Sequence, residues 1–135
     1  MAVAIALATG AFNSGPQPPN VKYVGFNPEG KQTIKEGQAI QVTFKVHNNE
    51  LTDITNARIV TTHKGDSKFF AIDKSDYVVS PAIGADQGES GVQTIVIRGL
   101  DLGDQPAIED VFTVTLYIGV EKTDFKEFTI RLEPA

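Results

Sequence analysis

No cysteine occurs anywhere in the 135 residues, so disulfides and thiolate metal sites are excluded. Tryptophan is also absent, and Met1 is the only methionine. No apolar run approaches the roughly 18 residues of a membrane span. Lysine and arginine never cluster, so nucleic-acid binding has no electrostatic footprint. The first twenty residues carry no charged side chain at all. No Lys or Arg precedes the apolar stretch Ala2 to Ala8, which is also short for the core of a secretory signal, so the segment is expected to stay with the working protein.

The charge that exists is unevenly spread. Residues 21–70 hold seven Lys/Arg against five Asp/Glu, and residues 71–135 hold five against twelve, which gives +2 and −7 and sums to the net −5. The second half therefore has a solvated acidic character and no affinity for polyanions.

The uncharged start has its own pattern. Val3, Ile5 and Leu7 alternate with Ala2, Ala4, Ala6 and Ala8, the period-2 signature of a strand. Asn13-Ser14-Gly15-Pro16-Gln17-Pro18-Pro19-Asn20 follows, a proline-rich spacer biased toward extended polyproline II. Residues 1–20 thus form an arm and linker, and residues 21–135 a single domain of a size that can bury its own core. Val3, Ile5, Leu7 and Phe12 are too apolar for a solvated tail. They are the candidate docking residues, able to add as a strand to another subunit's sheet.

The domain reads as β throughout. Val21 to Phe26 is a strand, stopped by the turn Asn27-Pro28-Glu29-Gly30. Ile40, Val42, Phe44 and Val46 alternate with polar residues, and Asn48-Asn49-Glu50 closes that strand. Asn56 to Thr62 places Ala57, Ile59 and Thr61 on one side. Phe69–Ile72 and Tyr77–Val79 read as short edge strands, and Ser80 to Gly91 as a long loop. Val92 to Ile97, apolar on both faces, suits a buried central strand. After the loop Asp101 to Ile108, two strands present Phe112, Val114, Leu116, Ile118 and then Phe128, Ile130, Leu132. No helical period appears. About seven strands with turn signals between them predict an all-β fold, a single Ig-like antiparallel β-sandwich with an extended N-terminal arm.

Val21-Lys-Tyr-Val-Gly-Phe, Lys35-Glu-Gly-Gln and Ala39-Ile-Gln-Val-Thr-Phe-Lys-Val-His-Asn-Asn resemble the opening of bacterial and phage immunoglobulin-like modules, nearest the cell-adhesion-related bacterial domain. The resemblance implies a fold and no activity. Thr94-Ile-Val-Ile-Arg, Asp101 and Ile108-Glu-Asp-Val-Phe-Thr-Val-Thr-Leu are similar to the end of Calx-β domains. That resemblance implies calcium ligands at Asp101, Asp104, Glu109 and Asp110. The chain departs from it by adding a strand after residue 124 and by lacking a Gly-Thr-Leu-x-Phe strand.

Catalytic signals are absent. His47 and His63 fall near the ends of two strands expected to be neighbours, without a third ligand. Ser75, Ser80 and Ser90 lack a nucleophile context, and Gly84-Ala85-Asp86-Gln87-Gly88 opens no helix that could bind phosphate. Asp73 and Asp76 are expected on an exposed edge. The sequence predicts no enzyme, no metal and no cofactor. It predicts a structural protein that docks through its arm onto a larger protein assembly, as a virion decoration or capsid cement at the virion surface, with homo-oligomerisation or weak surface-glycan contact as further options. The alternative is an extracellular or cell-surface adhesion or glycan-binding module, calcium-dependent in one form, or a strand-exchanging pilus-like subunit.

Overall fold

Alternation decides which face of each strand leaves water. The computed structural model describes residues 18–65 and 67–135. Its strands are β1 (Val21–Asn27), β2 (Gly30–Lys35), β3 (Ala39–Asn48), β4 (Ala57–His63), β5 (Phe70–Ile72), β6 (Asp76–Val78), β7 (Gly88–Glu89), β8 (Gln93–Gly99), β9 (Ile108–Ile118) and β10 (Glu121–Glu133). They form two sheets, one in the order β1-β3-β8-β5 with β7 also on β3, the other β2-β10-β9-β4-β6. The buried faces are those the alternation selects. Val42, Phe44 and Val46 of β3 meet Ile59 of β4, Phe112, Val114 and Leu116 of β9, and Phe128, Ile130 and Leu132 of β10. Inner faces of this kind pack about 10 Å apart.

Four expectations change. The strands number ten, because β2 and β7 bury too little to show a period: β2 buries only Ile34, and β7 has two residues. One pairing is parallel, with Phe128↔Gly30 through Glu133↔Lys35. The chain runs down β1 in one sheet, crosses at Asn27–Gly30 and continues in the same direction as β2 in the other, so it lies alongside β10 with both strands running the same way. Gly30 at φ +73° supplies the left-handed step at that crossing. Next, β8 is not buried on both faces. Ile95 and Ile97 point inward, Val96 is half-buried, and Val92 lies before the strand and is exposed, since no strand among the described residues covers the outer side of this sheet. Finally, His47 and His63 are not on neighbouring strands. The chain passes between sheets from β3 to β4, so the two histidines sit in different sheets.

A row of rings joins the layers. Tyr23 meets Phe44 at 4.8 Å and Phe26 at 5.2 Å, Phe26 stacks on Phe44 at 5.5 Å, and Phe26 reaches Phe128 across the core at 6.4 Å. Phe128 stacks on Phe112 at 5.7 Å, and Phe112 meets Phe70 edge-on at 5.0 Å. Offset and edge-to-face pairs add to the area the rings bury. Phe112 contacts rings on both sides and is fully buried. Phe112→Ala is expected to lower unfolding free energy by about 3–5 kcal/mol, measured by denaturant titration at unchanged slope.

Candidate functional site

The sandwich has two ends, and they differ in construction. The end where the chain enters is built around Asn48, the last residue of β3. Its side chain is fully buried among apolar neighbours, a costly position for an amide unless every group is paired. It is paired. Nδ2 donates to the carbonyls of Thr52 (3.0 Å), Ile83 (3.1 Å) and Gly84 (3.1 Å), and Oδ1 accepts from the Glu50 amide at 2.9 Å. One side chain therefore gathers the loop after β3 and the loop before β7.

Further bonds lock the two loops together. Ile54 and Ile83 exchange backbone bonds at 2.9 and 2.8 Å, Asp53 Oδ1 accepts from Ala85 N–H, and the Glu50 and Asn48 carbonyls accept from Asp86 and Gln87. Asp86 and Gln87 take positive φ values of 57° and 76° to make that turn. The backbone then comes so close to itself that a Cβ on Gly88 would collide with the Gly84 carbonyl.

The incoming chain is fastened to the same hub. Asn49 N–H donates to the Asn20 carbonyl at 3.0 Å, and Asn20 N–H donates to Glu50 Oε2 at 2.7 Å. On the same end stand the two most exposed large apolar side chains among the described residues, Leu51 at 87% in the β3–β4 loop and Val120 at 92% in the β9–β10 hairpin. The hairpin belongs to the same end, because Ile118 pairs with Ala57 and Gly119 N–H reaches the Asn56 carbonyl.

His47 pins β7 to this end. Nδ1 lies 3.2 Å from Glu89 Oε2, and Nε2 lies 2.8 Å from Gln87 Oε1 and 3.0 Å from Asn49 Oδ1. Only the imidazolium donates from both nitrogens. The Gln87 oxygen outweighs the opposing desolvation and, with Glu89 and Asn49 adding to it, holds the histidine above its ordinary pKa of 6.5. Lys22 sits opposite on β1, and Lys45 is 4.0 Å from Glu89 on the same face.

The far end holds most of the candidate calcium residues, and it disperses them. Asp110 points into the sandwich. Its Oδ2 is 2.7 Å from His63 Nδ1 and its Oδ1 accepts from Gly65 N–H at 2.8 Å. Glu109, one residue earlier on the strand, points outward to Lys31 at 2.7 Å and Arg131 at 3.6 Å, and the Lys31 ammonium holds it below the usual carboxylate range. Asp101 Oδ1 accepts from Gly103 N–H, and that backbone bond lowers its pKa, with Glu36 adding to the shift. Asp104 lines a shallow depression with Asp101, beside Lys68 and Phe69, and no third carboxylate joins them there among the described residues. Among the described residues no group of three His, Asp or Glu converges on a metal-sized point. His63 stacks on Phe112 at 5.2 Å and, among the described residues, bonds only Asp110. That pair ties the loop after β4 to β9. Asp73 and Asp76 also have structural partners, the Val96 amide and Arg58. The arm residues Val3, Ile5, Leu7 and Phe12 lie outside the described residues.

Sequence reasoning missed Asn48, Leu51 and Val120. The pair Asn48-Asn49 looked like a strand terminator, and nothing in a single sequence separates a buried terminator from an exposed one.

No protein-family model matches the chain, and no curated relative matches it. The narrower family resemblances therefore rest on their motifs alone. Solved structures do share the fold. The periplasmic chaperone SfaE aligns at a TM-score of 0.54 and 16% identity, covering 84% of this chain and 56% of that one. The YadV chaperone aligns at 0.49 and 13%, covering 85% and 52%. A structure of the Salmonella enterica SafA pilin in complex with the SafB chaperone aligns at 0.49 and 12%, covering 90% and 58%. The chain spans a little over half the length of these structures. The class defined by fold and likeness is the Ig-like β-sandwich.

Two outcomes follow for this end. Asn48→Ala removes the side-chain donor from the Thr52 and Gly84 carbonyls and leaves the Ile83 carbonyl only its bond from Ile54 N–H, and is expected to cost about 3 kcal/mol, with amides 50–54 and 84–87 gaining hydrogen exchange. The His47 contacts act in the opposite sense to a carboxylate. Because the folded pKa is raised, their contribution is complete below pH 6.5 and is lost as pH rises through the raised value. Exchange at residues 84–91 should therefore be slower in mild acid than at alkaline pH, after correction for intrinsic rates, and His47→Gln should abolish the difference.

Proposed function

We propose that this chain is a non-catalytic protein-docking module that joins a larger protein assembly through its N-terminal arm. Val3, Ile5 and Leu7 enter a neighbour's sheet edge as alternate side chains of an added strand, Phe12 anchors the base, and residues 13–20 space the sandwich from the docking point. The observation that carries this reading is position. The arm is rooted at Asn20, on the end where Leu51 and Val120 stand in water, so the arm and the exposed apolar side chains face the same partner. Two such exposed apolar side chains on the end that carries the arm favour a contact surface there.

For the setting, a cell-surface or periplasmic protein assembly is preferred to a virion shell. The likeness to SfaE, named as a periplasmic chaperone, favours a protein partner of that kind. The virion reading has only the general analogy of Ig-like ornaments. The polar hub around Asn48 suits the role, because a docking end must hold its shape while the arm is engaged.

The test is sedimentation of the tagged full chain from the cells that produce it. The wild-type chain is expected to travel with a high-mass assembly. The triple variant Val3→Asp, Ile5→Asp, Leu7→Asp is expected to fall in that fraction by about tenfold or more, since a carboxylate in an apolar pocket costs several kcal/mol. Its melting temperature should match the wild type. An unchanged distribution of the triple variant would overturn the proposal.

A further inference from the structure

We infer that the protein receiving the arm is not a second copy of this chain: the chain donates a strand and does not accept one. This rests on the arm reading above and is drawn from the edges of the two sheets. Strand addition needs a run of free backbone groups beside an apolar trough. Among the described residues, each edge lacks one or both.

On β1 the outward Tyr23 N–H is taken by Asp124 Oδ2 at 2.9 Å, and Lys22 Nζ crosses to the Thr123 carbonyl at 2.7 Å. The strand then bulges between Val24 and Asn27, where Gly25 sits at φ +66°. On β2 the last N–H, from Lys35, is closed by Gln38 Oε1 at 2.8 Å, and lysines 31 and 35 flank the strand. Bulges and edge lysines are the devices that keep edges from pairing. At the opposite edges, β5 and β6 have three residues each, shorter than the alternating stretch Val3–Leu7.

One longer edge remains. β10 has thirteen residues, and β2 covers only Phe128–Glu133, which leaves residues 121–127 without a ladder partner on that side, where β1 approaches through Lys22 and Tyr23. Five of those seven side chains are charged: Glu121, Lys122, Asp124, Lys126 and Glu127. The Phe125 N–H is already held by its neighbour's Asp124 Oδ1 at 2.8 Å, and the Thr123 carbonyl by Lys22. An arm without a single charge has nothing to pair with there. Nor does the core have room for another strand, because Val21, Phe44, Phe112, Ile130 and Leu132 are buried by the chain's own two sheets.

The acceptor's chemistry follows from the arm. It presents an open strand edge free of charged side chains, with apolar depressions about 7 Å apart for Val3, Ile5 and Leu7. On the other side it offers a flat surface against which the alanine face lies closely.

Two measurements on the full chain decide the matter. The first is light scattering after gel filtration from dilute to the highest soluble concentration. The second is titration of a fluorescent peptide of residues 1–17 with the full-length triple variant, whose own arm cannot compete. The expected result is a single-chain mass throughout and no saturable peptide binding. Concentration-dependent oligomers that the triple variant abolishes, or saturable binding displaced by unlabelled peptide, would overturn the inference while upholding the arm reading. A single-chain mass together with an unchanged sedimentation pattern for the triple variant would overturn the arm reading, and this inference with it.

Discussion

The row of rings from Tyr23 to Phe70 sets the distance and register between the two sheets. Three of its members, Phe44, Phe112 and Phe128, come from the longest strands, and the other three, Tyr23, Phe26 and Phe70, come from edges. The edges are thereby held on the core by ring contacts as well as by ladder bonds. Each ring fills space that its neighbours define, so the choice of rotamer at one position limits the next. His63 extends the row to β4 through its stack on Phe112, and its bond to Asp110 is then a by-product of packing. An aspartate and a histidine 2.7 Å apart need not be a catalytic pair when the stack already fixes the imidazole.

Against this apolar middle, the entry end is organised by polar groups. A buried amide is a poor source of net stability but a strong source of specificity, because only one arrangement of the loops satisfies all its bonds. Asn48 accordingly fixes where the loops go, and the rings fix how firmly the sheets hold. The division explains why the exposed residues Leu51 and Val120 can be tolerated. They sit on turns whose backbones are anchored independently of what their side chains touch.

Much of the fold was legible because burial on one face writes a period of two. β3, β4, β9 and β10 appear in the sequence with their inward residues in the right places, including the small Ala57 and the polar Thr61. β2 was invisible because its neighbour is a partner in parallel and only Ile34 is covered. β8 was overread because Val92 and Val96 are apolar without being enclosed. The acidic loop suggested ligands because a sequence shows proximity along the chain. It does not show that Glu109 and Asp110, adjacent on a strand, point to opposite faces. The entry end was the least legible part, since several of the bonds that join its loops link residues thirty or more positions apart.

The direction of β1 has a mechanical meaning. The arm joins the sandwich at Asn20, and β1 runs from there away from the entry end, antiparallel to β3 from Val21↔Asn48 to Asn27↔Thr43. A pull on the arm, outward from that end, lies along the strand axis. Ladder bonds stand perpendicular to the strands, so such a load shears them together and does not peel them singly. The Lys22 and Tyr23 ties to Thr123 and Asp124 carry part of the same load into the second sheet. The module is therefore mounted to bear tension through its tether, with the first strand of the chain taking the load directly.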